Sequence, residues 1–234
     1  MNWLSWLGDF FSAPDRRSGP DSILHRVAEH LLLSGEALFY AALLAVPLGL
    51  LIGYTGRGAT VVTSMAGAAR ALPTLGLVTL AVLLAGVGDT AVLIPLVALA
   101  APPLLVAAVE GVRGTDPDVR DAARGVGLTH PQVLRQVCLP SALPTLLAGF
   151  RTATVQVVAT ATVAAYVGLG GLGRYVIDGL ATRNYAVTVG GALLVVLLAV
   201  GAQLFFALLA RFALPPGLRA QRRSHPSRPS RRTR

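Results

Sequence analysis

The run with the most obvious chemical use is Gly168-Leu-Gly170-Gly171-Leu-Gly173, a literal match to GxGxxG. Inside a soluble βαβ unit such glycines let backbone N–H groups approach a pyrophosphate. Here the run follows a long apolar segment instead of a strand, so the expected role is a turn or close helix packing. Metal and nucleophile chemistry have less to work with. The single cysteine, Cys138, leaves no internal disulfide and no CxxC pair, and His25, His30, His130 and His225 lack a ligand spacing such as HExxH. No GxxxxGK[ST] loop exists to hold the phosphates of ATP. A catalytic residue, a metal or a cofactor in this chain is not expected.

The elements that must carry these residues are apolar. Hydrophobic residues make up 54% of the 234 and charged residues 13%, about half the charged share of a soluble globular chain, and mean hydropathy is +0.65. The net charge of +9 is not spread along the chain. All 20 basic residues are arginine, and eight fall in 211–234, leaving 12 arginines against 11 acids over 1–210. That tail, mixed with Ser and Pro, reads as a disordered extension attracted to anionic lipid. It has neither the folded module nor the interleaved aromatics that nucleic-acid binding requires.

Blocks long enough to cross a bilayer, about 20 residues, lie at 31–54, 71–88, 90–112, 142–167 and 186–210. The second is the weakest: 59–70 reads as a short helix that bends at Pro73 into the membrane. Six spans is the competing count. Residues 1–30, with Trp3, Trp6, Phe10 and Phe11, read as an interfacial segment, either a short helix or a loose terminus. Arginine bias puts the loop 113–141 and the C-terminus in the cytoplasm and the N-terminus outside, which an odd number of spans satisfies.

The loop 113–141 is neither lipid-like nor low in complexity. Thr115 can cap a helix, with Pro117 in its first turn and Asp116 and Asp118 facing its positive end. Val119, Ala122, Ala123 and Val126 form one narrow small-residue face. Asp116 and Arg120 are spaced to pair, and Gly125 and Gly127 stop the helix. A second helix follows at once, with Thr129 as cap and Gln132 completing a capping box. On pattern alone the pair is either a docking surface or an amphipathic connector resting on headgroups.

Within this loop, Asp121-Ala122-Ala123, three residues, Gly127, nine residues, and Val137-Cys138-Leu139-Pro140 resembles the EAA motif of permease subunits in ATP-binding-cassette importers. Asp121 stands for Glu and Val137 for Ile. Further segments resemble the glycine betaine/carnitine/choline branch: Arg70-Ala-Leu-Pro73-Thr, Gly149-Phe-Arg151-Thr-Ala, and Ala165-Tyr166-Val-Gly168 through Gly173. The resemblance covers about residues 31–210, the permease domain.

What the resemblance implies is an all-α membrane protein with a cytoplasmic coupling helix. Asp121, Ala122, Ala123 and Gly127 would contact a separate ATPase, and Leu139 and Pro140 would pass its movement to the fourth span. It also implies two ATP-binding subunits that hold ATP and Mg, an extracytoplasmic binding protein, and a second permease, the same or a sister chain. The solute would be a quaternary amine, with an amino acid as the alternative. A secondary transporter would call for a midplane carboxylate, and no acid lies mid-span.

Among the remaining polar residues, Arg151 is a candidate for the pathway or for helix packing, with an Arg151–Glu110 pair joining two spans as one arrangement. Gly168, Gly170, Gly171 and Gly173 are candidates for close packing near the outer mouth. Tyr166 and Tyr175 are candidates for lining that mouth or for the interfacial belt. Nothing in the sequence resembles the aromatic cage that usually holds a quaternary ammonium.

Overall fold

A computed structural model describes residues 3–69 and 73–213. Arg70, Ala71, Leu72 and the tail from residue 214 lie outside it, so the bend before Pro73 and most of the arginine tail do too. Ten α-helices are described: α1 (Trp3–Ser12), α2 (Ile23–Thr55), α3 (Ala59–Ala69), α4 (Thr74–Ala85), α5 (Asp89–Arg113), α6 (Pro117–Gly125), α7 (His130–Val133), α8 (Leu139–Thr160), α9 (Gly173–Ala181) and α10 (Tyr185–Ala213). No strand occurs among the described residues.

Helix α2 begins earlier than its apolar run because Ser22 caps it, accepting from the His25 N–H at 3.4 Å. Its buried face is a ladder of small residues, Ala37, Ala41, Ala45, Gly49 and Gly53. Small residues let two helices approach closely where lipid supplies no hydrophobic drive between them. A Cβ on Gly49 would sit 2.6 Å from Ala108 Cβ, and one on Gly53 2.7 Å from the Val109 carbonyl.

These contacts join the C-terminal halves of α2 and α5, so the two helices run parallel. Gly111 meets Ala142 and Gly149 meets Ala107, so α8 returns antiparallel to α5. Phe206 stacks on Phe150 at 6.4 Å, while Leu197 and Leu198 share a cleft with Val158, so α10 reverses direction again.

One end of the bundle therefore collects Thr55, the loop 113–138 and Arg211. The other collects α1, Asp89, α9 and Tyr185. A parallel α2 and α5 also require residues 56–88 to recross the bundle.

Four stretches are long and apolar enough to cross a membrane: Ile23–Thr55, Asp89–Arg113, His130–Val167 and Tyr185–Phe212. The expected second span is shorter than predicted. Helix α4 has 12 residues, about 18 Å of rise, because Pro73 starts it and Gly86, at φ +83°, ends it. Its buried Val78 packs into the main core with Val92, Leu96 and Val157.

The N-terminus is a docked helix, not a loose segment. Phe10 is buried over Gly190, with its ring where a Cβ would be. Trp6 stacks on Tyr185 at 5.7 Å, and the Arg16 guanidinium lies 4.7 Å from the centre of the Tyr175 ring. Trp3, Leu4 and Phe11 stay exposed.

Candidate functional site

Helix α6 is held by its ends. Its N-cap is Asp116, not Thr115: the Asp116 carboxylate accepts from the Asp118 N–H at 2.9 Å, while Thr115 is buried one residue before that cap. At the C-terminus Gly127 takes φ +91°, the Gly127 N–H donates to the Arg124 carbonyl at 2.9 Å, and the Leu128 N–H reaches back to Ala123 at 3.1 Å. This pair of bonds is a Schellman closure, which an L side chain at Gly127 would strain.

The ion pair on the helix joins Asp121 to Arg124, three residues on, in place of the expected Asp116–Arg120 pair. Ala123 is half-buried against Val133 and Leu128. Ala122 points outward with Val119 and Val126, which are 50% and 79% exposed. The small-residue face thus lies mostly uncovered.

The second helix is anchored firmly. The Thr129 N–H donates to Gln132 Oε1 at 2.8 Å, completing the predicted box. Tyr54, at the end of α2, shares a 2.7 Å hydrogen bond with His130 Nδ1. Residues 76 apart in sequence meet here, and nothing in the sequence pairs them.

Between α7 and α8 the chain forms a π turn, Leu134–Cys138, closed by the Leu139 N–H on the Leu134 carbonyl. Pro140 has no N–H and its ring presses on the carbonyl four residues back; a wider preceding turn relieves that clash. Leu139 is half-buried and packs on the cluster around Cys138 and Ala142, whereas Pro140 is exposed. The stretch from His130 to Val167 is continuous helix, so the Val137–Pro140 end of the motif and the span are one body, and α6 meets that body through the turn at Gly127.

At the opposite end the glycines wrap around α2. The Gly171 N–H donates to Glu29 Oε2 at 2.8 Å, and a Cβ on Gly170 would overlap the same carboxylate. Gly173 lies against the Thr162 backbone, and Gly168, at φ +84°, ends the 3₁₀ turn Ala161–Val167. His30 is buried, with Nε2 2.9 Å from the Val158 carbonyl. Glu29 also binds Arg26 at 2.8 Å, and Arg26 reaches Asp21 at 2.7 Å. That hydrogen bond holds the Asp21 carboxyl below its ordinary range.

The Tyr175 hydroxyl donates to the Asp21 carbonyl at 2.6 Å, and burial pushes its pKa up. Tyr175 is therefore packed inside the joint and lines no mouth. Tyr166 is 59% exposed. Glu29→Ala is expected to leave the Gly171 N–H and Arg26 without their partner and to cost about 1–3 kcal/mol. A lowered thermal unfolding temperature in detergent checks this.

Arg151 is not paired with Glu110. Glu110 binds Arg113 at 3.5 Å, whereas Arg151 faces a groove shared with Thr152, Gln156 and Gln203. The α5 face that carries Gly111 is the one packed on α8, so Glu110, beside it, takes its partner from its own helix.

Fold and site together define a multi-pass helical membrane protein that presents a capped, exposed helix at one end of its bundle. The chain belongs to the family described as the binding-protein-dependent transport system inner membrane component, whose model matches residues 45–215.

It is 31% identical over 196 residues to the choline transport system permease protein OpuBB of Bacillus subtilis (strain 168), covering 84% of this chain and 90% of that one. It is 30% identical over 200 residues to the glycine betaine/carnitine/choline transport system permease protein OpuCB of the same organism, covering 86% and 92%. The fold is that of a chain in the inward-facing MetNI methionine ABC transporter, with TM-score 0.70 at 23% identity, covering 82% of this chain and 96% of that one.

Proposed function

We propose that this chain is the permease subunit of an ATP-driven importer for quaternary-amine compatible solutes of the glycine betaine, carnitine and choline type. It works with two cytoplasmic ATP-binding subunits, an extracytoplasmic binding protein and a second permease, identical or sister. ATP and Mg are held by the partner subunits, and hydrolysis takes place there. The end carrying the loop 113–141 and the arginines of 211–234 faces the cytoplasm, in keeping with the arginine bias of that end. The names of the relatives support the solute class.

One observation supports the mechanical role: α6 is capped at both ends, exposed along Val119, Ala122 and Val126, and linked by the tight turn at Gly127 to the helix His130–Val167 that continues into the fourth span. In this assignment Asp121, Ala122, Ala123 and Gly127 form the contact and turn, and Leu139 and Pro140 pass its displacement into α8. Closure of the ATP-binding subunits moves α6, and the bundle alternates between inward and outward openings. Arg151 and the glycines from Gly168 to Gly173 contribute to the pathway wall and to helix packing, with Tyr166 beside them.

Uptake of radiolabelled choline or glycine betaine by cells is expected to stop when ATP is depleted with ion gradients maintained. Continued uptake would assign the chain to ion-coupled transport instead.

A further inference from the structure

The side of α6 opposite Val119, Ala122 and Val126 is not bare. Pro117, Arg120, Asp121 and Arg124 follow one another at helical spacing and border a groove of about 610 Å³ whose other wall includes Tyr54, Arg57 and His130. The hydrogen bond between Tyr54 and His130 fixes that wall. The charge of the lining is one-sided. Asp121 is its only acid and is committed to Arg124. Arg57 and Arg120 have no acidic partner among the described residues.

We propose that this groove receives an acidic segment of the ATP-binding subunit, with carboxylates set against Arg57 and Arg120. The inference rests on the coupling role proposed above and adds a second grip to it. A partner that holds α6 on its small-residue face alone could let it roll; a partner that also bonds the arginine face fixes its rotation. Guanidinium groups suit this, since each can take a carboxylate through two parallel hydrogen bonds. Asp121 borders this groove and also belongs to the contact that the coupling role assigns to the same subunit, which favours a protein occupant over lipid headgroups.

The test uses the full-length chain purified with its ATP-binding subunit in uncharged detergent, and then in nanodiscs of phosphatidylcholine with or without phosphatidylglycerol. The variants are Arg57→Glu with Arg120→Glu, the milder Arg57→Gln with Arg120→Gln, and Ala122→Trp on the opposite face. Charge reversal is expected to weaken association roughly tenfold or more in every medium, with the Gln pair intermediate and the wild type weakened by added salt. The Gln pair reads the same contact if charge reversal impairs folding. Unchanged association in both arginine pairs, with loss in Ala122→Trp, overturns the groove assignment and leaves the coupling role standing. Unchanged association in all three variants overturns both. An effect confined to phosphatidylglycerol nanodiscs assigns the groove to anionic headgroups and overturns the proposal.

Discussion

Gly127→Trp is expected to abolish uptake while leaving the protein inserted and folded. Gly127 holds φ +91°, a conformation that costs an L residue about 1–2 kcal/mol. The closing bonds of α6, from Gly127 to Arg124 and from Leu128 to Ala123, depend on it. A Cβ there meets nothing within 4 Å, so the indole projects from the loop into the space assigned to the ATP-binding subunit. The bundle itself is not touched. Asp121→Arg is expected to act alike, because it breaks the pair with Arg124 and sets two cations together. Co-purification with the ATP-binding subunit and solute uptake should both fall to background, with unchanged monodispersity in detergent. Normal uptake in both variants would remove the coupling assignment.

Gly149→Leu should have the opposite profile and destroy the bundle itself. A Cβ at 149 coincides with the Ala107 side chain and lies 3.1 Å from the Pro103 carbonyl. The three nearest atoms are two backbone atoms and an alanine Cβ, which cannot move aside. Overpacking of a close helix contact costs about 1–3 kcal/mol where side chains can yield, and more where backbone is struck. A loss above about 3 kcal/mol is expected, seen as a collapse in the yield of monodisperse protein and in its thermal unfolding temperature. Gly201→Leu is the control: nothing lies within 4 Å of a Cβ at 201, so stability should hold. Equal stability for both variants would contradict the α5–α8 packing.

The extents of the long helices were legible because lipid imposes a length and a composition. The expected 90–112 and 186–210 are α5, Asp89–Arg113, and α10, Tyr185–Ala213. Helix α2 begins eight residues before the expected 31, because His25, Arg26 and Glu29 satisfy one another and polarity there does not end the helix. Local chemistry was also legible. Gln132 caps where its spacing from Thr129 says it should, and Gly127 turns the chain as its type suggests.

What escaped the sequence is whatever tertiary contact decides. The Tyr54–His130 bond, the seat of Glu29 on Gly171 and the bond from His30 to Val158 join residues 76 to 142 positions apart. Arg151 and Glu110 looked complementary in charge, yet their helices turn those side chains to different neighbours. The cap moved from Thr115 to Asp116 because Thr115 is drawn into the interior.

The wide turn at Leu134–Cys138 has a consequence for how this stretch can change. An ordinary helix advances about 100° per residue, and the π turn holds one residue more than an ordinary turn would. Deleting one residue there would restore a regular spiral and swing α6 and α7 by that angle about the axis of α8. The basic flank of α6 would then face a different direction while every span kept its place. The length of this segment is therefore a constraint separate from its composition: its residue count sets the bearing of the whole appendage that carries α6.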